Sequence, residues 1–131
     1  MNNFFQALED KITKAYTEGV SLDEAAQLAG EFLTAQMKVA AELRTADMDS
    51  RMRKSGLKAV KATVYMDTCA KADKKPTESA LEHILATEPL VQEQQNSFDD
   101  AEVHKAYLER MYDICREAHI HFRGIAKGRI E

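Results

Sequence analysis

The sequence predicts an all-α protein of long helices, in an elongated or a bundle arrangement, assembled with further copies of itself into an oligomer. Three observations predict the fold class. Ala, Glu, Lys, Leu, Met and Gln dominate the 131 residues, Pro (2) and Gly (5) are scarce and Trp is absent; the dominant residues lose least on entering a helix. Apolar side chains return every three or four residues over most of the chain, the period of a helix with one covered face. No run of alternating β-branched residues proposes a sheet. The length suits one helical domain, 1–131. It divides into N-terminal helices over 1–49, a basic helix over 50–73, a loop at 74–78 and a C-terminal helical region over 79–125.

Each element has its own signals. The first helix is predicted over 3–18, with Phe4, Phe5, Leu8, Ile12, Ala15 and Tyr16 on its apolar side and Gly19 suited to its C-terminal end. Ser21 and Glu24 stand three apart before the next apolar run, the spacing of a capping box. The second helix opens there with Ala25, Leu28, Ala29, Phe32, Leu33, Gln36, Val39, Ala40 and Leu43 at helical spacing. No strong breaker follows before Pro76. Unbroken over 22–72 this helix is about 75 Å long, whereas a break at 47–50 gives two antiparallel helices, and both remain open. The segment Lys74-Lys75-Pro76-Thr77 is the clearest turn. A short helix over 78–86 turns Leu81, Ile84 and Leu85 inward. Thr87 is expected to cap the last helix and Pro89 to enter its first turn. That helix is predicted to run to Arg123, with Gly124 as its cap and a tail that adds Lys127 and Arg129. Phe98, Ala101, Leu108, Tyr112, Cys115, His119 and Phe122 follow one another at near-heptad spacing, and Met111, Ile114, Ala118 and Ile125 widen the stripe. A stripe this wide exceeds what one neighbouring helix covers, so Leu108, Met111, Ile114, Cys115 and Phe122 are the expected oligomer interface; the alternative is a compact three- or four-helix bundle that covers every stripe itself.

Charge is distributed unevenly. The block 51–75 holds Arg51, Arg53, Lys54, Lys58, Lys61, Lys71, Lys74 and Lys75 against Asp67 and Asp73, a net +6 in a chain of net −4. The remaining residues therefore carry −10 and would repel phosphates, which excludes a general DNA-coating protein and makes any nucleic-acid contact local. On a helical wheel Arg51, Lys54, Lys58 and Lys61 fall within roughly 80° of one another with Tyr65 in the same arc, and Leu57, Val60 and Val64 take the other side. Such a row suits a phosphate backbone with one stacked base. It equally suits a solvated face that keeps a helix in water.

Other chemistries find little support in the residues. Cys115 and His119 stand at i, i+4, half of a metal site without a second half. The residues three before His83, His104, His119 and His121 are Ala80, Ala101, Arg116 and Ala118, so the Glu-x-x-His pairs of a di-iron bundle do not occur. A core cysteine beside a hydrogen-bonded histidine is the expectation, and no metal or other cofactor is expected. The sequence has no Gly-rich phosphate loop, no G-x-S-x-G and no recognisable Ser/His/Asp spacing, so the protein is not expected to be an enzyme. The methionines Met37, Met48, Met52, Met66 and Met111 are expected in the core. Two cysteines are too few for a disulfide scaffold, which points to a reducing, cytoplasmic compartment. Neither a signal peptide nor a membrane partner is expected.

The run Leu57-Lys58-Ala59-Val60-Lys61-Ala62-Thr63-Val64-Tyr65 resembles the basic helix of UvsY-type recombination mediator proteins of tailed phages. The order of parts is also similar over residues 35–125: N-terminal helices, a basic helix, a polar loop and a long C-terminal helix. The resemblance implies that Lys58 and Lys61 contact single-stranded DNA and that the C-terminal region assembles the protein. It further implies that the partners are a RecA-like recombinase and a single-strand-binding protein, in a phage-infected bacterial host. Arg51, Arg53, Lys54 and Tyr65 join the candidate set by wheel geometry alone. The expected function is a non-enzymatic DNA recombination or replication accessory protein. The alternative is a helical assembly or scaffold protein without nucleic-acid binding.

Overall fold

Four helices account for the fold of the computed structural model, which describes residues 2–128: α1 (Asn2–Glu18), α2 (Leu22–Lys71), α3 (Glu78–Thr87) and α4 (Pro89–Ala126). The described residues contain no strand. The open question in the second helix resolves as one continuous helix of 50 residues. Asp47 and Ser50, poor helix formers near its middle, are held by tertiary partners. Ser50, 3% exposed, donates its hydroxyl to Glu102 Oε1 at 2.6 Å, and Asp47 accepts an ion pair from Lys105 at 3.1 Å. Satisfied this way, neither side chain competes for the helix backbone.

Local chemistry explains the helix ends. Gly19 at φ 75° ends α1 in the left-handed region, its N–H bonded to the Ala15 carbonyl at 3.0 Å. Ser21 accepts the Glu24 amide at 3.2 Å and its hydroxyl donates to the Glu24 carboxylate at 3.1 Å, so the expected capping box closes through the side chain. Thr77 caps α3 by accepting the Ala80 amide at 3.1 Å. Thr87 does not cap α4 as expected. Its hydroxyl instead donates back to the His83 carbonyl within α3, and Glu88 stands at the α4 start, its carbonyl accepting the Gln92 amide. Gly124 does not end α4. The helix continues to Ala126, and Gly128 at φ 69° is the left-handed residue beyond it. Arg129 in the predicted tail lies outside the described residues.

The chain forms two compact units. One comprises the residues up to Leu43 together with those from Tyr107 onward; the other is Arg44–Ala106. In the first, α1, the opening of α2 and the end of α4 enclose Phe5, Leu8, Ala25, Ala29, Phe32, Ala35, Val39, Leu108, Met111, Cys115, Ala118 and Phe122. Phe32 and Phe122 stack with centroids 5.7 Å apart, and Phe5 meets Tyr107 edge-on at 5.5 Å, offset and T-shaped contacts that add to burial. Tyr112 accepts a hydrogen bond from Gln36 at 3.1 Å. In the second unit the remainder of α2, all of α3 and the start of α4 bury a leaner set: Ala46, Leu57, Leu81, Val91 and Ala101. None of these five is aromatic.

Two expectations are corrected by burial. Leu108, Met111, Cys115 and Phe122 are at most 2% exposed, and Ile114 is half-buried. The apolar stripe of α4 is therefore covered by α1 and α2 of the same chain and does not face outward as an oligomer interface. The second correction concerns methionine. Met111 is core, as expected, but Met37, Met48, Met52 and Met66 are 65–71% exposed.

The cysteine and histidine of α4 behave as the core pair expected of them. Cys115 is fully buried, and burial raises its thiol above the ordinary cysteine range. His119 Nδ1 lies 2.8 Å from the Ala29 carbonyl. A carbonyl only accepts, so this nitrogen carries the proton. A thiol titration of the native protein is expected to modify Cys69, which is half-exposed, and to reach Cys115 only in denaturant. Native modification of both at equal rates would contradict the burial.

Candidate nucleic-acid interface

The basic row lies on α2 within the second unit. Leu57 is buried and Val60 and Val64 are half-buried, so the helix turns that side toward α3 and α4. Arg51, Arg53, Lys54, Lys58 and Tyr65 are exposed, Tyr65 by 41%. The wheel thus separates the two faces as expected, with one difference. Lys61 is half-buried, because its direction on the wheel is only about 40° from that of Leu57.

The cations are not equivalent electrostatically. Arg51 pairs with Asp47 at 3.1 Å and Arg53 with Asp49 at 2.9 Å, both across one turn. The Arg53 guanidinium also donates to Ser97 Oγ on α4. Asp47 receives Lys105 as well as Arg51. The Lys105 hydrogen bond is the largest influence; against an opposing desolvation, and with the Arg51 and Lys105 charges adding to it, it holds the Asp47 carboxyl below the usual carboxylate range. Lys71 pairs with Asp67 at 3.0 Å. Lys54, Lys58 and Lys61 make no ion pair with any described residue. Of the candidate residues, Lys54 and Lys58 offer uncompensated charge to open solvent.

Lys61 opens onto a feature that no sequence signal marked. α2, α3 and α4 converge around a cleft of about 560 Å³, lined by Lys61, Glu82, Leu85, Ala86, Val91, Gln92, Gln95 and Asn96. The α3–α4 junction shapes it: the Glu88 amide bonds the Ile84 carbonyl at 2.9 Å, and Gln92 Nε2 donates to the Ala86 carbonyl at 3.1 Å, clasping the end of α3 to the first turn of α4. The lining residues come from three helices and individually look like ordinary surface. The one hint in the sequence is the position of Lys61 beside Leu57 on the wheel.

Among the described residues, no group of three or more His, Cys, Asp or Glu side chains is placed to hold a metal ion, and no helix is long and apolar enough to cross a membrane. No protein-family model, curated protein or solved structure matches the chain.

Proposed function

We propose that this protein is a non-enzymatic DNA recombination or replication accessory protein that binds single-stranded DNA along α2 and assists a RecA-like recombinase. The observation that carries the reading is the row of unpaired lysines, Lys54 and Lys58 with Lys61 at its edge, beside the exposed ring of Tyr65. Unpaired cations release counterions when they meet phosphates, and an accessible aromatic ring takes a base face without regard to sequence. The acidic remainder keeps other surfaces away from the strand. The resemblance of residues 57–65 to UvsY-type mediators supports single strands over duplex, and with them a recombinase and a single-strand-binding protein as partners in a phage-infected cytoplasm.

Two or three phosphate contacts per chain make a weak site, and assembly supplies the rest through avidity. With the α4 stripe covered, the second unit still exposes Leu90 and Val103 singly on α4 and a group of apolar side chains on the outer face of α2. Met48, Met52, Ala59 and Met66 fall within about 40° of one another there. A second copy of the chain is the occupant proposed for this face. Light scattering at micromolar concentration is expected to show an oligomer that Met52→Asp reduces toward monomer with little change in the melting temperature, since Met52 is 71% exposed. Monomeric wild-type protein would remove assembly from the reading.

Titration of a labelled single-stranded oligonucleotide at two salt concentrations tests the function as a whole. Binding that weakens linearly in log salt is expected. No binding at low salt would leave the helical scaffold reading in its place.

A further inference from the structure

We propose that the cleft between α2, α3 and α4 is a nucleobase pocket, which takes one base out of the strand that Lys54 and Lys58 hold. The inference rests on the single-strand reading above and assigns the cleft a ligand that this reading does not require.

The chemistry of the lining selects the occupant. Lys61 and Glu82 bring opposite charges to the same cleft, so the cleft has little net attraction for an anion, and a phosphate entering it would meet a carboxylate. Leu85, Ala86 and Val91 supply an apolar wall. Gln92, Gln95 and Asn96 supply amides with both donors and acceptors. Gln92 and Gln95 each commit one N–H, to the Ala86 carbonyl and to Asp99 Oδ1 respectively, which leaves their carbonyl oxygens and a second N–H available. Asn96 makes no hydrogen bond with a described residue. An uncharged, flat group with hydrogen-bonding edges and apolar faces matches this set. Amide side chains pair naturally with base edges, and a carboxylate accepts from an exocyclic amino group. The volume lies within the range of small-ligand sites.

Position ties the cleft to the strand. Lys61 follows Lys58 by three residues and precedes Tyr65 by four, so the cation row leads along α2 to the cleft and its last lysine forms part of the wall. A backbone held on Lys54 and Lys58 thus places its next base beside the opening. Unstacked bases of single strands are free to leave the strand axis, whereas duplex bases are not.

The test compares the full-length protein on two labelled strands of equal length, one of natural bases and one built of abasic residues. The base-bearing strand is expected to bind roughly tenfold tighter or more, in line with the worth of one well-held base. Because Tyr65 stacks a base of its own, the variants are compared in a Tyr65→Ala background, where Ala86→Phe, which fills the cleft from an exposed position, and Asn96→Ala are each expected to remove most of the remaining preference. They should leave abasic affinity and the salt slope unchanged, because no phosphate contact is touched. Equal binding of the two wild-type complexes, with dependence on Lys54 and Lys58 intact, would overturn the pocket and leave the single-strand reading standing. A preference for bases that survives both variants in the Tyr65→Ala background would also overturn it, placing the base elsewhere. Failure to bind either strand would overturn both.

Discussion

Leu108→Asp is expected to unfold the aromatic-rich unit. Leu108 is 1% exposed in a core that includes Phe32, Phe122 and Met111. The substitution removes a buried aliphatic side chain and leaves a carboxylate there without a partner. The cost is on the order of 5 kcal/mol, comparable to the whole stability of a small domain. Thermal melting by circular dichroism should show loss of most of the helical signal from this unit at temperatures where the wild type is folded. Ile114→Asp should cost less, because Ile114 is only half-buried and its carboxylate can turn toward water. A Leu108→Asp protein that keeps its melting temperature and merely changes its oligomeric state would return Leu108 to an interface between copies.

The second large effect concerns the strand. Lys54→Ala with Lys58→Ala is expected to weaken single-stranded DNA binding and to lower the slope of log K against log salt by about 1.4 per protomer, at ~0.7 per phosphate contact. Stability should change by no more than about 0.5 kcal/mol per site, since both side chains are exposed and unpaired. Arg51→Ala should do less to binding, because Asp47 already neutralises much of its charge. Tyr65→Ala separates stacking from charge: it should cost roughly 1–3 kcal/mol of binding while leaving the slope nearly unchanged. A double lysine variant that binds like wild type, with the same slope, would remove α2 as the DNA contact.

The helices themselves were legible in the amino-acid order because their signals are local. The Ser21–Glu24 box, Gly19 and the Pro76 turn each act within one helical turn of the residues they organise. What escaped was tertiary. Asp47 to Ser50 reads as a weak point whose fate depends on Lys105 and Glu102, more than 50 residues away. The wide stripe of α4 announces that it must be covered, but a 3.6-residue period carries no information on whether the cover belongs to the same chain or another. Here α1 and α2 supply it. Met37, Met48, Met52 and Met66 misled for the same reason, since an apolar side chain at helical spacing marks a face and not what lies against it. At the site the separation of cations from Leu57 was legible. The neutralisation of Arg51 and Arg53 was legible too, since Asp47 and Asp49 stand one turn earlier at i, i+4 spacing. The cleft was invisible, because its walls converge from three helices.

The unequal cores have a thermodynamic consequence. The unit that carries the lysine row rests on Ala46, Leu57, Leu81, Val91 and Ala101, while the other rests on stacked phenylalanines. The two stretches of α2 then belong to cooperative segments of different opening free energy, with the later stretch the cheaper to open. A ligand that recognises only the closed form of that segment stabilises it by RT ln(1 + [L]/Kd). A bound strand would thus act as a missing part of the hydrophobic core, raising the stability of the segment it touches, and a segment built too firmly would have less to gain from being bound.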